Sequence, residues 1–175
     1  WQDIMSDWWG NKYSYQIGLF LTSFNMSLPD LRLEYNVTRP WTYTHPDFPY
    51  THREQVLGSP YGPSSKAIRI ESFYFPKPKI IIESSFEHIL KGLGNGASVL
   101  DNYDNRNKDF DWNTNFFLED KQKFSELNIS LQYILSDLLR LRSTISISET
   151  FNPYFYSASQ RYREDKFILG LDFQW

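Results

Sequence analysis

Apolar and polar residues alternate with period two through most of this chain. In LNISLQYIL one face of an extended segment carries Leu127, Ile129, Leu131, Tyr133 and Leu135, and the other carries Asn128, Ser130 and Gln132. LLRLRSTISISETF sets Leu139, Leu141, Ser143, Ile145 and Ile147 against Arg140, Arg142, Thr144, Ser146 and Ser148. LRLEYNVT and KIIIESSFEHIL alternate in the same way, and no segment shows a helical period. The pattern predicts an all-β chain with seven strands, at about 13–24, 31–44, 66–75, 79–91, 123–135, 138–151 and 163–175.

The connections alternate too. Those after the first, third and fifth strands are short: NMSLPD, Pro76 to Pro78, and Ser136–Asp137. Those after the second, fourth and sixth are long: 45–65, 92–122 and 152–162. Outer-membrane barrels segregate short periplasmic turns from long outer loops in this way. Strands of this length also suit a tilted membrane crossing, and in lipid no strand edge can stay unpaired. The fold expected is an antiparallel transmembrane β-barrel in the bacterial outer membrane. A soluble β-sandwich or lipocalin-like barrel is the alternative.

Strand parity adds one expectation. With the short turns in the periplasm, the first strand runs downward and residues 1–12 start on the outer side. Single-chain barrels of this type have even strand numbers and begin in the periplasm. Seven strands are therefore expected to be the C-terminal portion of a larger barrel, unless residues 1–12 add an eighth. The chain ends KFILGLDFQW, with Phe167, Leu169, Leu171, Phe173 and Trp175 on one face. This is read as a closing, lipid-facing strand whose terminal aromatic resembles the signal that barrel-assembly machinery recognises.

Composition narrows the chemistry. The 175 residues include no cysteine, which excludes disulfides and thiolate metal sites. A net charge of −3 argues against a nucleic-acid partner. Aromatic residues make up 18% of a chain that is only 41% hydrophobic, a balance suited to polar–apolar boundaries. No run of about 18 apolar residues exists to form a transmembrane helix.

The richest candidate site is the first long loop with its approach, Arg39 to Ser65. Trp41, Tyr43, His45, Asp47, Tyr50, His52 and Tyr61 combine aromatic faces with hydrogen-bonding groups, the combination on which sugar rings stack; an aromatic girdle at the membrane boundary is the alternative for Trp41 and Tyr43. The His/Asp content lacks a fourth ligand or metal-binding motif, so no metal is expected. GLGNG, residues 92–96, lacks a GK[ST] ending and reads as a turn rather than a phosphate loop. DNYDNRNKDFDWN, residues 101–113, lacks the glycine and terminal glutamate of a calcium loop. Glu83 and Glu87 lie about 13 Å apart along a strand, too far for a glycosidase pair. With Arg32, Glu34, Arg69, Glu71, Arg140 and Arg142 they read as ion pairs of a polar interior. No nucleophile, catalytic acid–base pair or cofactor is expected, and the protein reads as non-enzymatic.

YNVTRPWTYTHPDFPYTHREQVLGSPYGPSS resembles the capsule assembly Wzi family, in which R-P-[YW]-T-Y-[ST]-H leads to Y-x-H-x-x-x-x-L-[AG]-x-P-x-G. The preceding NKYSYQIGLFLTSFNMSLPDLRLEYN and the following FPKPKIIIESSFEHILKGLGNG are similar to the same family, so the likeness covers most of residues 10–96. Ser59 departs from it, standing where many members have histidine. The resemblance implies a barrel of about eighteen strands, within the even-numbered range. It also implies a lectin-like role in attaching or organising capsular or exopolysaccharide at the cell surface. A porin-like solute channel and a soluble carbohydrate-binding β-sandwich stay open beside it.

Overall fold

The structure, a computed structural model, describes residues 7–23, 28–45, 51–52, 55–56, 58–94, 96–106, 108–112, 117, 121–136, 139–152 and 160–173. Its strands are β1 (Ser14–Leu21), β2 (Asp30–Thr38), β3 (Thr51–His52), β4 (Gln55–Val56), β5 (Ser65–Lys77), β6 (Ile80–Gly92), β7 (Lys121–Ser136), β8 (Leu139–Asn152) and β9 (Gln160–Phe173). All seven expected strands are present, and they form one antiparallel sheet in the order β1-β2-β5-β6-β7-β8-β9. β3 and β4 make a separate small hairpin inside the first long loop. The large sheet is an open meander: β1 and β9 are its two edges and are not paired with each other.

Several boundaries differ from expectation, the first strand ending at Leu21 rather than at residue 24. β2 stops at Thr38, not at residue 44. Pro40 has no N–H to give a ladder, and Trp41 and Tyr43 adopt φ of 62° and 73°, which no strand accommodates. The last strand starts at Gln160 and is described to Phe173, so Gln174 and Trp175 lie outside the described residues. Residues 7–12 are not strand, and they donate to the second long loop through Trp9 N–H to Asp111 O at 2.9 Å.

The tight turns lie at one end. Lys77 faces Ile80 and Ser136 faces Leu139 across two-residue connections. A register shift precedes each turn, between Tyr74 and Lys77 and between Ile134 and Ser136. Pro76 falls within the first shift, where a missing N–H costs the ladder nothing.

Register carries the alternation intact across all the strands. Leu19, Leu33, Ile70, Phe86, Leu127 and Ile147 stand opposite one another from β1 to β8. Glu34, Arg69, Glu87 and Glu126 form a parallel row on the other face. The sheet thus has one mostly apolar and one mostly polar face, and much of the apolar face is exposed. Ile17, Leu169 and Phe167 are 66, 65 and 67% exposed, whereas Glu71, Ser130 and Gln132 on the polar face are buried. Among the described residues the buried hydrophobics are Val37, Trp41, Ala67 and Val99, at the long-loop end. Among the described residues no second large sheet covers the apolar face.

The apolar band crosses the sheet obliquely. Toward the long loops its apolar run extends to Tyr15–Val37 on β1 and β2 and breaks off above Ile68 on β5, Phe86–Leu127–Ile147 on β6 to β8, and Phe167 on β9, with Leu90 and Phe151 recurring singly beyond His88 and Glu149. Its upper edge therefore drops by three register rows, or six residues, over six strand steps. At ~3.3 Å per residue and ~4.8 Å per strand this is an inclination of about 35°. The lower edge descends in the same sense, from Leu21–Leu31 to Leu139–Phe173.

Candidate functional site

The long-loop end is held by a backbone that leaves β2 abruptly. Trp41 N–H donates to Gly96 O at 2.9 Å, joining the first long loop to the second. Gly96 has φ +84°, and a Cβ there would lie 2.7 Å from atoms of the Trp41 ring, so glycine is required both by the backbone and by the close approach. Trp41 is 3% exposed. Thr44 Oγ1 donates to Trp41 O at 2.6 Å, and Ser64 N–H donates to Arg39 O at 3.2 Å. Arg39, itself buried, pairs with Asp7 at 3.5 Å and lies over the Tyr13 ring.

The second half of that loop, residues 58–64, folds onto the polar face. Tyr61 donates its hydroxyl to Glu87 Oε1 at 2.7 Å. Burial first, and then this bond to a carboxylate, pushes the Tyr61 phenol up to about 12. Lys91 Nζ donates to Tyr61 O at 3.0 Å and also to Pro63 O. Ser59 N–H donates to the Tyr43 hydroxyl at 3.1 Å. A 540 Å³ cavity remains between this loop and Lys91, Ala97 and Val99.

The seven sequence-predicted residues therefore part company. Trp41 is a buried packing residue, and the hydroxyls of Tyr43 and Tyr61 serve as internal anchors. His45 is exposed. His52 pairs through its backbone with Gln55 in the small hairpin, and Asp47 and Tyr50 lie outside the described residues. Among the described residues, no group of three or more His, Asp or Glu is placed to hold a metal ion.

A different aromatic cluster is assembled from three separate segments. Trp8 stacks on Trp112 with centroids 6.1 Å apart, and Trp9 meets Trp8, Trp41 and Tyr103 at 5.9, 6.5 and 5.5 Å. The Arg106 guanidinium sits 3.9 Å over the Trp9 ring and binds both carboxylate oxygens of Asp111, at 2.8 and 3.0 Å. That bidentate bond raises the Arg106 pKa further, while burial, and then Arg106 itself, lowers that of Lys12. Lys12 lies 4.5 Å over the Tyr103 ring. Trp112 is 65% exposed at the edge of this assembly.

No known protein family, curated protein or solved structure matches this chain.

The cluster was readable only in part from the sequence. Residues 101–113 read there as a polar outer loop, and the aromatic pair Trp8–Trp9 carried no assignment. The signal was present in WW and DFDW, yet the spacing of 104 residues between Trp8 and Trp112 gave no reason to join them. Asp101 illustrates the opposite case: its Oδ2 accepts from Gly96 N–H at 2.7 Å and Ser98 N–H at 3.1 Å, which makes it a turn-forming carboxylate.

Proposed function

We propose that this chain is part of an outer-membrane β-barrel that binds capsular or exopolysaccharide at the cell surface without catalysing a reaction. One observation carries the membrane half of the reading: an exposed apolar band inclined about 35° to the strand register, on the face opposite a more buried polar one. Barrel strands tilt by about 35–45° from the barrel axis, so a lipid slab cuts their register rows at this angle. A water-soluble sheet has no reason to incline its apolar residues in this way. On this reading the two open edges, β1 and β9, accept further strands, and the lipid lies against Ile17, Leu131 and Phe167.

The polysaccharide half is supported by the resemblance of residues 39–65 to the Wzi family and by the aromatic cluster at the long-loop end. The exposed face of Trp112, backed by Trp8, offers a flat apolar surface next to Arg106 and Asp111. The ligand contact thus moves from Trp41 and Tyr43, whose rings are engaged internally, to Trp8 and Trp112. Two measurements test the whole: retention in the membrane pellet after an alkaline wash, and polysaccharide held at the cell surface by Trp112→Ala. Release by the wash overturns the membrane half. Full polysaccharide retention by Trp112→Ala, normally inserted, overturns the binding surface.

The charged polar face favours one second reading, a solute channel. Arg32–Glu71 at 3.3 Å and Arg142–Glu83 at 3.7 Å would line its lumen. Steady conductance in planar bilayers without polysaccharide binding would select this alternative.

A further inference from the structure

Immediately above the apolar band, the outward face changes character. The next two register rows bring Lys66, His88, Lys123, Arg161 and Arg163, interspersed with Leu90, Phe151 and the single carboxylate Glu149, to the same face that carries Ile68, Phe86, Leu127 and Phe167 below. A 250 Å³ depression opens there, lined by His88, Lys123, Ser125, Glu149, Phe151 and Arg161. We propose that this depression seats the phosphate of an anionic lipid whose acyl chains lie along the apolar band. The inference rests on the membrane reading above and assigns a specific lipid contact to it.

Charge, shape and position all bear on the occupant. Among the described residues no carboxylate pairs with Lys123; its ammonium stands 5.8 Å from the centre of the Phe151 ring. Arg161 reaches Glu149 only at 3.9 Å, with the two side chains 75 and 53% exposed, so the guanidinium is open to a second anion. His88 Nδ1 lies 2.8 Å from Ser125 Oγ, and this fixes the ring and the hydroxyl at the floor of the depression. Cations at a membrane boundary attract phosphate strongly, and an arginine fork matches two of its oxygens. The apolar residues directly below continue the same surface, so one molecule can satisfy both: its headgroup on Lys123 and Arg161, its chains on Leu127, Ile147 and Phe167. An inorganic phosphate ion would use only the upper half.

The test uses the full-length protein in a non-ionic detergent, with binding read by native mass spectrometry. The probes are a bis-phosphorylated acylated glucosamine disaccharide, its dephosphorylated counterpart, and inorganic phosphate. We expect the phosphorylated lipid to bind at least about 25-fold more tightly than the dephosphorylated one, and Lys123→Gln with Arg161→Gln to remove that advantage, at about five-fold per cation. Lys123→Arg should restore its share, and Glu126→Gln on the polar face should change nothing. Equal affinity for the two lipids overturns the proposal, as does inorganic phosphate binding as tightly as the lipid. A protein that stays monomeric without detergent overturns the membrane reading; one that needs detergent but ignores the phosphate overturns this seat alone.

Discussion

Tyr61 and Glu87 are joined by a hydrogen bond of 2.7 Å that fastens the first long loop to the polar face of the sheet. The bond requires the protonated phenol, whose pKa stands near 12 rather than at its ordinary value of about 10. A neutral form favoured by folding contributes stability that is complete below the unfolded pKa and is lost as pH rises through the folded one. The anchor should therefore hold up to pH about 10 and fail between about 10 and 12. Ultraviolet titration of phenolate should show one late-ionising tyrosine that Tyr61→Phe removes, and the same substitution should make residues 58–64 more sensitive to protease.

Gly96 should be intolerant of any side chain. Gly96→Ala places a Cβ 2.7 Å from the Trp41 ring at φ +84°, which should destabilise the folded state by about 1–3 kcal/mol. Gly170→Ala is the control: nothing lies within 4 Å of the added methyl, and the change should stay within about 0.5 kcal/mol. Denaturant unfolding followed by tryptophan fluorescence measures both.

The two faces should answer a buried charge in opposite ways. Leu131 lies inside the apolar band and is 48% exposed; its neighbour across the sheet plane, Gln132, is buried on the polar face. Leu131→Arg should cost about 2–4 kcal/mol in lipid vesicles, as arginine does at a bilayer midplane. Gln122→Arg, on the polar face near the long-loop end, should be nearly silent. If Leu131→Arg proves neutral and raises solubility without detergent, the apolar band faces water.

Arg106→Lys should loosen the aromatic cluster although charge is conserved. Lysine cannot give two parallel bonds to Asp111 or lie flat over the Trp9 ring. We expect a red shift in tryptophan emission and weaker polysaccharide binding, with the β-sheet circular dichroism signal unchanged. Trp41→Ala, by contrast, should disturb the sheet end itself.

Much of the architecture was legible because one simple rule, alternation, governs strands whose two faces meet different surroundings. The seven strands and their short–long connections follow from it. Legibility failed where side-chain type and backbone conformation disagree. Thr38 to Tyr43 continues to read as a strand, since nothing in Trp41 or Tyr43 announces a positive φ. The same limit applies to the candidate site. The sequence marked the loop rich in aromatic and His residues, but three of those aromatics are used to hold the loop in place. The exposed indole is contributed by Trp112, brought to Trp8 through contacts that only the folded chain creates. The cationic depression was equally hidden, because Lys123, Glu149 and Arg161 meet only through the register of three strands.

The inclination of the apolar band also reorders the charges on the opposite face. Arg32 and Glu71 share one register row, Glu83 lies one row lower, and Arg142 two rows lower, each further along the sheet. Turned upright by about 35°, so that the band lies flat, all four come to a single height to within about one residue, ~3.3 Å. What the register separates into scattered bridges is then one level belt, two glutamates flanked by two arginines. A solute moving down that face would meet the row of Glu34, Arg69, Glu87 and Glu126 first and this belt directly beneath it.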